Sequence, residues 1–371
     1  MSAVTSKDLF YLSKALELAA LGKFTTKPNP SVGCLLVKNN KIIGQGYHKE
    51  AGFPHAEIEA LNNCTEAPKD STCYVTLEPC FHYGRTPPCV DALINAQVSR
   101  VVILSLDSNP KVSGQSIKKL QDNNITVDVL ADSDLTIKAK ELNKGFFKRI
   151  TQEFPYVISK IAISMDGCIA LKNGDSKWIT GNKSREDVHK LRAEMSAIIT
   201  TSTTVINDNA KLNPRLNNKL NSGINLDSKY WPIRVVLDEN LKTEITHDIY
   251  KLPGKVIVCT ISNNHKKIKE FQANGISIIF ETNIKNILKL LATEYECNQV
   301  LFEVGAGLNA VLLQEKLIDE LVLYKSAKIL GKDSISMFDI ANIKDLDNNL
   351  NYFKLIDAEV IENDVKLIYK K

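Results

Sequence analysis

The sequence predicts a mixed α/β protein made of two domains. Its 371 residues suggest two domains rather than one. In both halves, short apolar runs of β-type residues alternate with runs whose apolar residues recur at helical spacing, which is typical of layered α/β folds. A polar stretch with a proline at residues 151–155 interrupts this alternation. We place the boundary there and expect domains at residues 1–150 and 151–371.

The first half is expected to alternate strands with helices from its start. The strands are predicted at residues 32–37, 42–47, 73–77, 100–106 and 125–130. The helices are predicted at residues 7–21, 55–63, 89–96, 116–121 and 135–150, the last as one closing helix.

The second half continues the alternation. Its strands are predicted at residues 156–164, 197–201, 233–237, 256–259 and 298–304, and its helices at residues 184–195 and 308–316. Residues 217–229 are polar and aperiodic, so we expect a loop there. Residues 353–368 alternate about a turn, which predicts a terminal hairpin.

Composition excludes several classes of protein. The net charge is +4 and the charges are interspersed, which argues against a dedicated nucleic-acid binder but would not repel a phosphorylated substrate. No apolar run approaches the ~20 residues of a membrane span, and the start does not read as a signal peptide. Eight scattered cysteines fit a reduced, cytoplasmic protein. We expect a homo-oligomer that acts on small molecules, with no nucleic-acid or membrane partner.

One histidine and two cysteines lie at the ends of predicted elements in the first half. His55 begins a helix, Cys80 follows a strand, and Cys89 begins another helix. Such a set suits zinc and leaves a fourth position for water, whose pKa the metal lowers towards ~7. Glu57 is not needed as a ligand and can move protons as the catalytic residue. This order of residues is the signature of zinc nucleobase deaminases.

The spacing of the two cysteines departs from that signature. The usual form is Cys-x-x-Cys, whereas eight residues separate Cys80 from Cys89 here. The intervening segment must loop out, and it carries polar groups that could reach a substrate. Each residue alone is more simply explained by ordinary packing, but the complete set, with Pro79 before Cys80, favours the metal.

A glycine-containing turn in the second half suggests phosphate binding. Gly305 and Gly307 stand between a predicted strand and a predicted helix, where a phosphate can approach backbone N–H groups at the positive helix end. The loose dinucleotide fingerprint is satisfied, but the turn comes late in the chain and no acidic residue follows ~20 positions on, unlike a Rossmann half. A plain strand–helix turn stays open as the alternative.

Three motifs of the first half closely resemble the deaminase half of the bifunctional riboflavin-biosynthesis deaminase/reductase family. They are residues 28–34, His55-Ala56-Glu57, and residues 76–89, whose long insert is the family's own form. The resemblance implies a cytidine-deaminase-like α/β/α layered domain acting on a phosphoribosyl-pyrimidine. It implies these substrate contacts: His82, Arg85, Asp107 and Asn109. The prolines beside Asn29 could present that side chain to the substrate as well, although Asn29 and residues 107–110 also read as simple turns.

The second half is similar to the reductase half of the same family, through motifs that run in order from residue 160 to residue 305. The resemblance implies a dihydrofolate-reductase-like α/β domain that uses NADPH. The NADPH site would be lined by Ala162, Trp178, Thr204, Asp208, Gly305, Ala306, Gly307 and Leu308. Substrate would be contacted by Ser176, Arg192, Leu212, Arg215 and Glu303, with Lys160 and Asp208 suggested for positioning in the hydride step. The two arginines suit a phosphate, and surface salt bridges are the alternative.

The sequence departs from the family pattern near the expected cofactor site. The usual Asp-Ala-Ile is Ser196-Ala197-Ile198, the Gly-x-Gly-Thr-Val form is replaced at residues 201–205, and Ala327 replaces a proline. These differences concern the fit of the cofactor rather than the reaction class.

Two other functions stay open alongside the two-reaction enzyme. One is a cytidine- or tRNA-type deaminase with an appended binding domain, which a basic, aromatic groove would favour; interspersed charge and 7% aromatic residues do not. The other is a structural zinc module. Structural zinc normally has four protein ligands, and the sequence offers no convincing fourth.

Overall fold

The computed structural model describes residues 4–81, 87–107, 114–216, 226–341, 343–345, 350 and 352–371. The chain divides into two compact units, Met1–Glu153 and Phe154–Lys371. No helix in the described ranges is both long and apolar enough to cross a membrane.

The N-terminal unit is built on a five-stranded sheet in the order β2-β1-β3-β4-β5. The strands are β1 (Gly33–Lys38), β2 (Lys41–Tyr47), β3 (Thr72–Val75), β4 (Arg100–Ile103) and β5 (Thr126–Val129). The helices are α1 (Ser6–Leu21), α2 (Ala56–Asn62), α3 (Cys89–Asn95), α4 (Gln115–Asp122), α5 (Asp134–Leu142) and α6 (Lys144–Gln152). β3, β4 and β5 run parallel, so their carboxyl ends share one edge of the sheet.

Helices cover both faces of this sheet, which confirms the predicted α/β/α layering. Alternate side chains of β1 point to opposite faces. Leu35 belongs to the cluster that includes α1 and α5, whereas Leu36 belongs to the cluster that includes α2, α3 and α4. A Cβ on Gly46 of β2 would lie 2.5 Å from the Ala60 backbone nitrogen, so glycine lets α2 approach the sheet closely.

The prediction of one closing helix at residues 135–150 is wrong, because the segment forms α5 and α6 with a break at Asn143. The Asn143 side chain accepts a hydrogen bond from the Ser31 N–H at 2.8 Å and donates one to the Ser31 carbonyl at 2.9 Å. This contact between distant residues coincides with the break, and the spacing of apolar residues along the segment does not predict it.

The C-terminal unit contains a nine-stranded sheet in the order β11-β10-β9-β8-β12-β6-β13-β16-β15. Its strands are β6 (Tyr156–Ile163), β8 (Ala197–Thr201), β9 (Ile233–Leu237), β10 (Val256–Cys259), β11 (Ser277–Ile279), β12 (Gln299–Phe302), β13 (Glu320–Ser326), β15 (Lys354–Ile361) and β16 (Asp364–Lys370); β7 (Cys168–Ala170) pairs separately with β14 (Ile335–Ser336). Its helices are α7 (Asn182–Glu194), α8 (Ser202–Asp208), α9 (Asp248–Lys251), α10 (His265–Ala273), α11 (Ile284–Thr293) and α12 (Ala306–Gln314), with a 3-10 turn at Ser228–Tyr230.

Seven strands of this sheet pair in parallel, and the terminal hairpin β15–β16 joins β13 in antiparallel fashion. The hairpin confirms the prediction for residues 353–368. β13 is not among the predicted strands, although its run Leu321-Val322-Leu323-Tyr324 is hydrophobic and buried, the pattern of a strand covered on both faces. Buried clusters lie on both faces of the sheet.

Candidate active sites

The structure brings the three predicted zinc ligands together at element ends. His55 is the residue before α2, Cys80 follows β3, and Cys89 is the first residue of α3. The His55 Nδ1 atom lies 3.5 Å from Cys80 Sγ and 3.3 Å from Cys89 Sγ. Two ligands sharing one tetrahedral zinc ion at normal bond lengths stand about 3.6 Å apart. The donor atoms are therefore spaced for a single zinc ion.

The long insert does not separate the two cysteines. The Cys89 N–H donates to Cys80 Sγ at 3.2 Å, and the Val90 N–H donates to the Cys80 carbonyl at 3.3 Å. Hydrogen bonds from Cys89 and His55 lower the pKa of the Cys80 thiol to about 4, despite the opposing effect of burial. A thiolate is the form that binds metal, and these hydrogen bonds favour that form at Cys80, whereas the hydrogen bond with Cys80 and burial raise the pKa of the Cys89 thiol.

Glu57 lies in the first turn of α2 and is buried, with 3% of its surface exposed. It forms a hydrogen bond with Cys89, and burial, followed by the charge of Cys80, raises its pKa to about 7. A carboxyl group whose pKa lies near the working pH is suited to accepting and returning a proton. The carboxyl group thus stands beside the ligands, as a proton carrier must.

His48 contacts both Asn29 and the predicted zinc ligand His55, a role that the sequence does not reveal. His48 Nδ1 lies 3.1 Å from the Pro54 carbonyl, and Nε2 lies 3.0 Å from Asn29 Nδ2. A carbonyl only accepts, so Nδ1 carries the proton and Nε2 accepts from the amide. The His48 ring also meets the His55 ring edge to face, 5.2 Å apart. The sequence places the histidine at the end of β2 but gives no sign of its partner.

Among the other predicted deaminase contacts, Asp107 follows β4, and its N–H donates to Glu78 Oε2 at 3.3 Å. His82, Arg85 and Asn109 lie outside the described residues.

The C-terminal unit holds a largely buried ion cluster formed by Lys160, Arg192 and Glu303, whose side chains are 11–16% exposed. Arg192 Nε lies 2.5 Å from Glu303 Oε1, and a second guanidinium nitrogen lies 3.0 Å from Oε2. Lys160 Nζ lies 3.5 Å from the same Oε2. Burial raises the pKa of Glu303, but the two cations outweigh it and hold the pKa at about 2. Burial lowers the pKa of Lys160. One carboxylate with two cations leaves the cluster with a net positive charge.

A cleft of about 520 Å³ collects six of the predicted reductase residues. They are Lys160, Ala162, Ser176, Trp178, Asp208 and Arg215. The cleft also contains cations that sequence analysis did not single out, among them Arg185, whose guanidinium lies 4.3 Å from the centroid of the Trp178 ring. An indole and several cations in one cleft suit a ligand that carries both rings and phosphates.

Comparison with known proteins identifies the family. Residues 155–367 match the RibD C-terminal domain, and residues 5–105 match the cytidine and deoxycytidylate deaminase zinc-binding region. The chain is 41% identical to riboflavin biosynthesis protein RibD of Haemophilus influenzae, over 100% of this chain and 99% of the relative. The chain belongs to the RibD family.

Full-length RibD relatives and structures agree with this assignment. RibD of Escherichia coli is 38% identical over 92% of this chain and 93% of its own. The structure of Acinetobacter baumannii RibD superimposes with a TM-score of 0.88 at 38% identity, covering 98% of both chains. A deaminase/reductase from Thermotoga maritima gives a TM-score of 0.85 at 30% identity, again over 98% of both. The chain is thus a bifunctional enzyme of riboflavin biosynthesis with a zinc-binding deaminase domain and a RibD-type reductase domain.

The remaining predicted reductase residues of this RibD-family chain lie around the end of β12 and within the core. Gly305 precedes α12, and a Cβ added at Gly305 or Gly307 would meet nothing within 4 Å, so open space faces this turn. Ala306 is buried and Leu308 packs against the core. The Thr204 N–H donates to Thr201 Oγ1 at 3.4 Å. Leu212 is only 3% exposed, and its side chain packs in the core.

Proposed function

We propose that the N-terminal unit hydrolytically deaminates a phosphoribosylamino-pyrimidine and that the C-terminal unit reduces its ribosyl group to a ribityl chain with NADPH. The deaminase proposal rests on the spacing of His55, Cys80 and Cys89, with buried Glu57 beside them. Three ligands leave one coordination position for water, as in catalytic rather than structural zinc sites.

The side chains of the N-terminal site divide the work of deamination. Bound zinc supplies a water of lowered pKa. Glu57 accepts a proton from that water and passes it to the leaving nitrogen, so that ammonia departs as oxygen bonds to the ring carbon. Asn29, oriented by His48, contacts the pyrimidine, and Asp107 contributes to holding the substrate. By family resemblance, His82, Arg85 and Asn109 complete this contact.

The cleft of the C-terminal unit supports the reductase proposal. NADPH supplies the hydride. Trp178 is 63% exposed, which leaves its ring open to contact the cofactor, and the open turn at Gly305 and Gly307 admits a phosphate. By family resemblance, Ala162, Thr204, Asp208, Ala306 and Leu308 line the same cofactor site. The positive cluster of Lys160, Arg192 and Glu303 faces the ribosyl substrate, whose phosphate suits Arg215. Ser176 and the backbone of Leu212 complete the substrate contacts.

Replacing Glu57 tests the deaminase proposal. Glu57→Gln keeps the shape of the side chain but cannot carry the proton, so ammonia release should fall by about 10³-fold. Zinc content and NADPH oxidation with the deaminated pyrimidine should be unchanged. Glu59→Gln is the control on the same helix, because Glu59 bonds Lys49 instead. Ammonia release that persists in Glu57→Gln would contradict the proposal.

The reductase half is tested by NADPH absorbance. The deaminated pyrimidine should cause stoichiometric loss of absorbance, with NADH a poorer donor because the cleft is cationic. Unchanged absorbance would remove the reductase assignment. A cytoplasmic, homo-oligomeric enzyme belongs to the same proposal, and the lack of a disulfide bond among the described cysteines supports the reducing compartment.

A further inference from the structure

Glu78 links the segment that carries Cys80 to the segment that carries Asp107. It stands two residues before Cys80 and is only 4% exposed. Its backbone N–H donates to the Ser105 carbonyl at 2.9 Å, which ties the exit of β3 to the exit of β4. Both segments therefore leave the same edge of the sheet side by side.

The Glu78 carboxylate accepts hydrogen bonds from Asp107 after β4 and from Gly114 and Ser116 at the start of α4. Oε2 accepts from the Asp107 N–H at 3.3 Å. Oε1 accepts from the Gly114 N–H at 2.9 Å and from the Ser116 hydroxyl at 2.6 Å. Gly114 and Ser116 lie at the start of α4, where the helix dipole adds to the attraction for a carboxylate.

All three partners donate, so the position requires acceptors on both oxygens. A carboxylate meets that requirement and a primary amide does not, because its NH₂ group would face a donor. A glutamine would keep its oxygen where two donors converge and turn its NH₂ towards Asp107. The chemistry of the donor set thus distinguishes glutamate from its closest isostere.

We infer that Glu78 is a positioning residue for the deaminase substrate, because it fixes Asp107 beside the segment after β3 that carries Cys80. This inference rests on the proposed function, in which Asp107 contacts the pyrimidine substrate. The carboxylate of Glu78 bonds Asp107, Gly114 and Ser116, none of which is a predicted zinc ligand. It sets the distance between the part of the site that binds metal and the part that holds substrate.

Steady-state kinetics of the zinc-loaded full chain test this role through Glu78→Gln. The KM for the phosphoribosylamino-pyrimidine should rise by about tenfold, the effect of losing one buried hydrogen bond to a charged group. The kcat should stay within about threefold, and zinc content and NADPH oxidation should not change. Asp128→Asn is the matched control: it removes a buried carboxylate of the same unit that pairs with Arg100 instead, and the KM should be unaffected.

Ser116→Ala removes the hydroxyl that donates to Glu78 and leaves the segment that carries Cys80 unchanged. It should raise the KM by a few-fold, and the double variant with Glu78→Gln should be less than additive because the two side chains share one bond. An unchanged KM in both single variants would overturn the inference, as would zinc loss in Glu78→Gln together with an unchanged KM in Ser116→Ala. If the wild-type chain releases no ammonia from the pyrimidine, the proposed function fails instead.

Discussion

The two sites differ in how their charges are balanced. The predicted zinc site gathers donor atoms from residues at most 34 positions apart, and its imidazole and two sulfur atoms are ligands that suit a metal cation. The reductase cluster joins Arg192 to Glu303 across 111 positions and brings its own cations. The first site therefore depends on metal for its completion, whereas the second is complete as a fold and is left positive for an anionic ligand.

Removing a zinc ligand should separate the two sites most sharply. Cys89→Ala leaves two ligands, too few for a catalytic zinc site, and should lower deamination by about 10³-fold or more. Metal analysis should show zinc loss, while NADPH oxidation stays within twofold. Cys64→Ala is the control, since the Cys64 thiol donates to the Ala60 carbonyl and is not one of the predicted zinc ligands. A Cys89→Ala protein that retains stoichiometric zinc would contradict the assigned ligand set.

The converse experiment disrupts the reductase cluster. Arg192→Lys keeps the charge but loses the two-point contact with Glu303, so the kcat/KM for the deaminated pyrimidine should fall by about 10- to 100-fold. Zinc content and ammonia release should be unaffected. Lys190→Gln, an exposed cation on the same helix, should change neither reaction. A reductase unaffected by Arg192→Lys would place the cluster outside the site.

The same contrast explains what the sequence could predict. The predicted zinc ligands are few, chemically specific and fixed in order, so spacing and residue type were enough to single out three side chains that the structure brings together. Packing contacts have no such signature. The pairing of His48 with Asn29 joins residues 19 positions apart and depends on the Pro54 carbonyl, which fixes the tautomer of the ring. The break at Asn143 coincides with bonds to Ser31, 112 positions away.

Apart from the turn at Gly305 and Gly307, the predicted reductase site rests on family resemblance. Its residues come from β6, α7 and the end of β12, and no local pattern relates Lys160 to Glu303. Arg185 illustrates the limit, because its place on the Trp178 ring follows from the fold of residues 176–185 rather than from periodicity. Continuous apolar runs predicted five of the seven parallel strands of the C-terminal sheet, because burial on both faces leaves such a run, but β11 and β13 are not among the predicted strands.

A second ion cluster, formed by Arg100, Asp8 and Asp128 in the N-terminal unit, includes none of the predicted zinc ligands. Arg100 pairs with Asp8 at 2.7 Å and with Asp128 at 2.7 Å, and all three side chains are largely buried. Arg100→Lys should lower the free energy of unfolding of this unit by about 2–3 kcal/mol, because two buried carboxylates lose bonds. The KM of deamination should stay unchanged. Hydrogen exchange of the β4 amides measures the stability, and a raised KM at full zinc content would show that this cluster also shapes the site.

The smallest expected effect concerns His189, which lies on α7 beside the reductase cluster. Its Nδ1 accepts the Arg215 N–H at 3.2 Å. Burial, then the charges of Arg192 and Arg215, lower its pKa to about 4. The unfolded chain takes up this proton below about pH 6.5 and the folded chain only below about pH 4. Stability is therefore level above pH 6.5 and falls as the pH drops towards 4.

For this half-buried ring, solvent screening reduces the cost at pH 5 to the order of 1 kcal/mol. Both tryptophans, Trp178 and Trp231, belong to the C-terminal unit, so their fluorescence during denaturant unfolding reports on it alone. The difference between pH 7 and pH 5 should shrink in His189→Gln and persist in His265→Gln, whose histidine is exposed. An equal pH dependence in both variants would assign the acid sensitivity to other groups. A pH dependence of stability that is reduced in His189→Gln alone would show that the positive charge beside His189 also affects the stability of this unit.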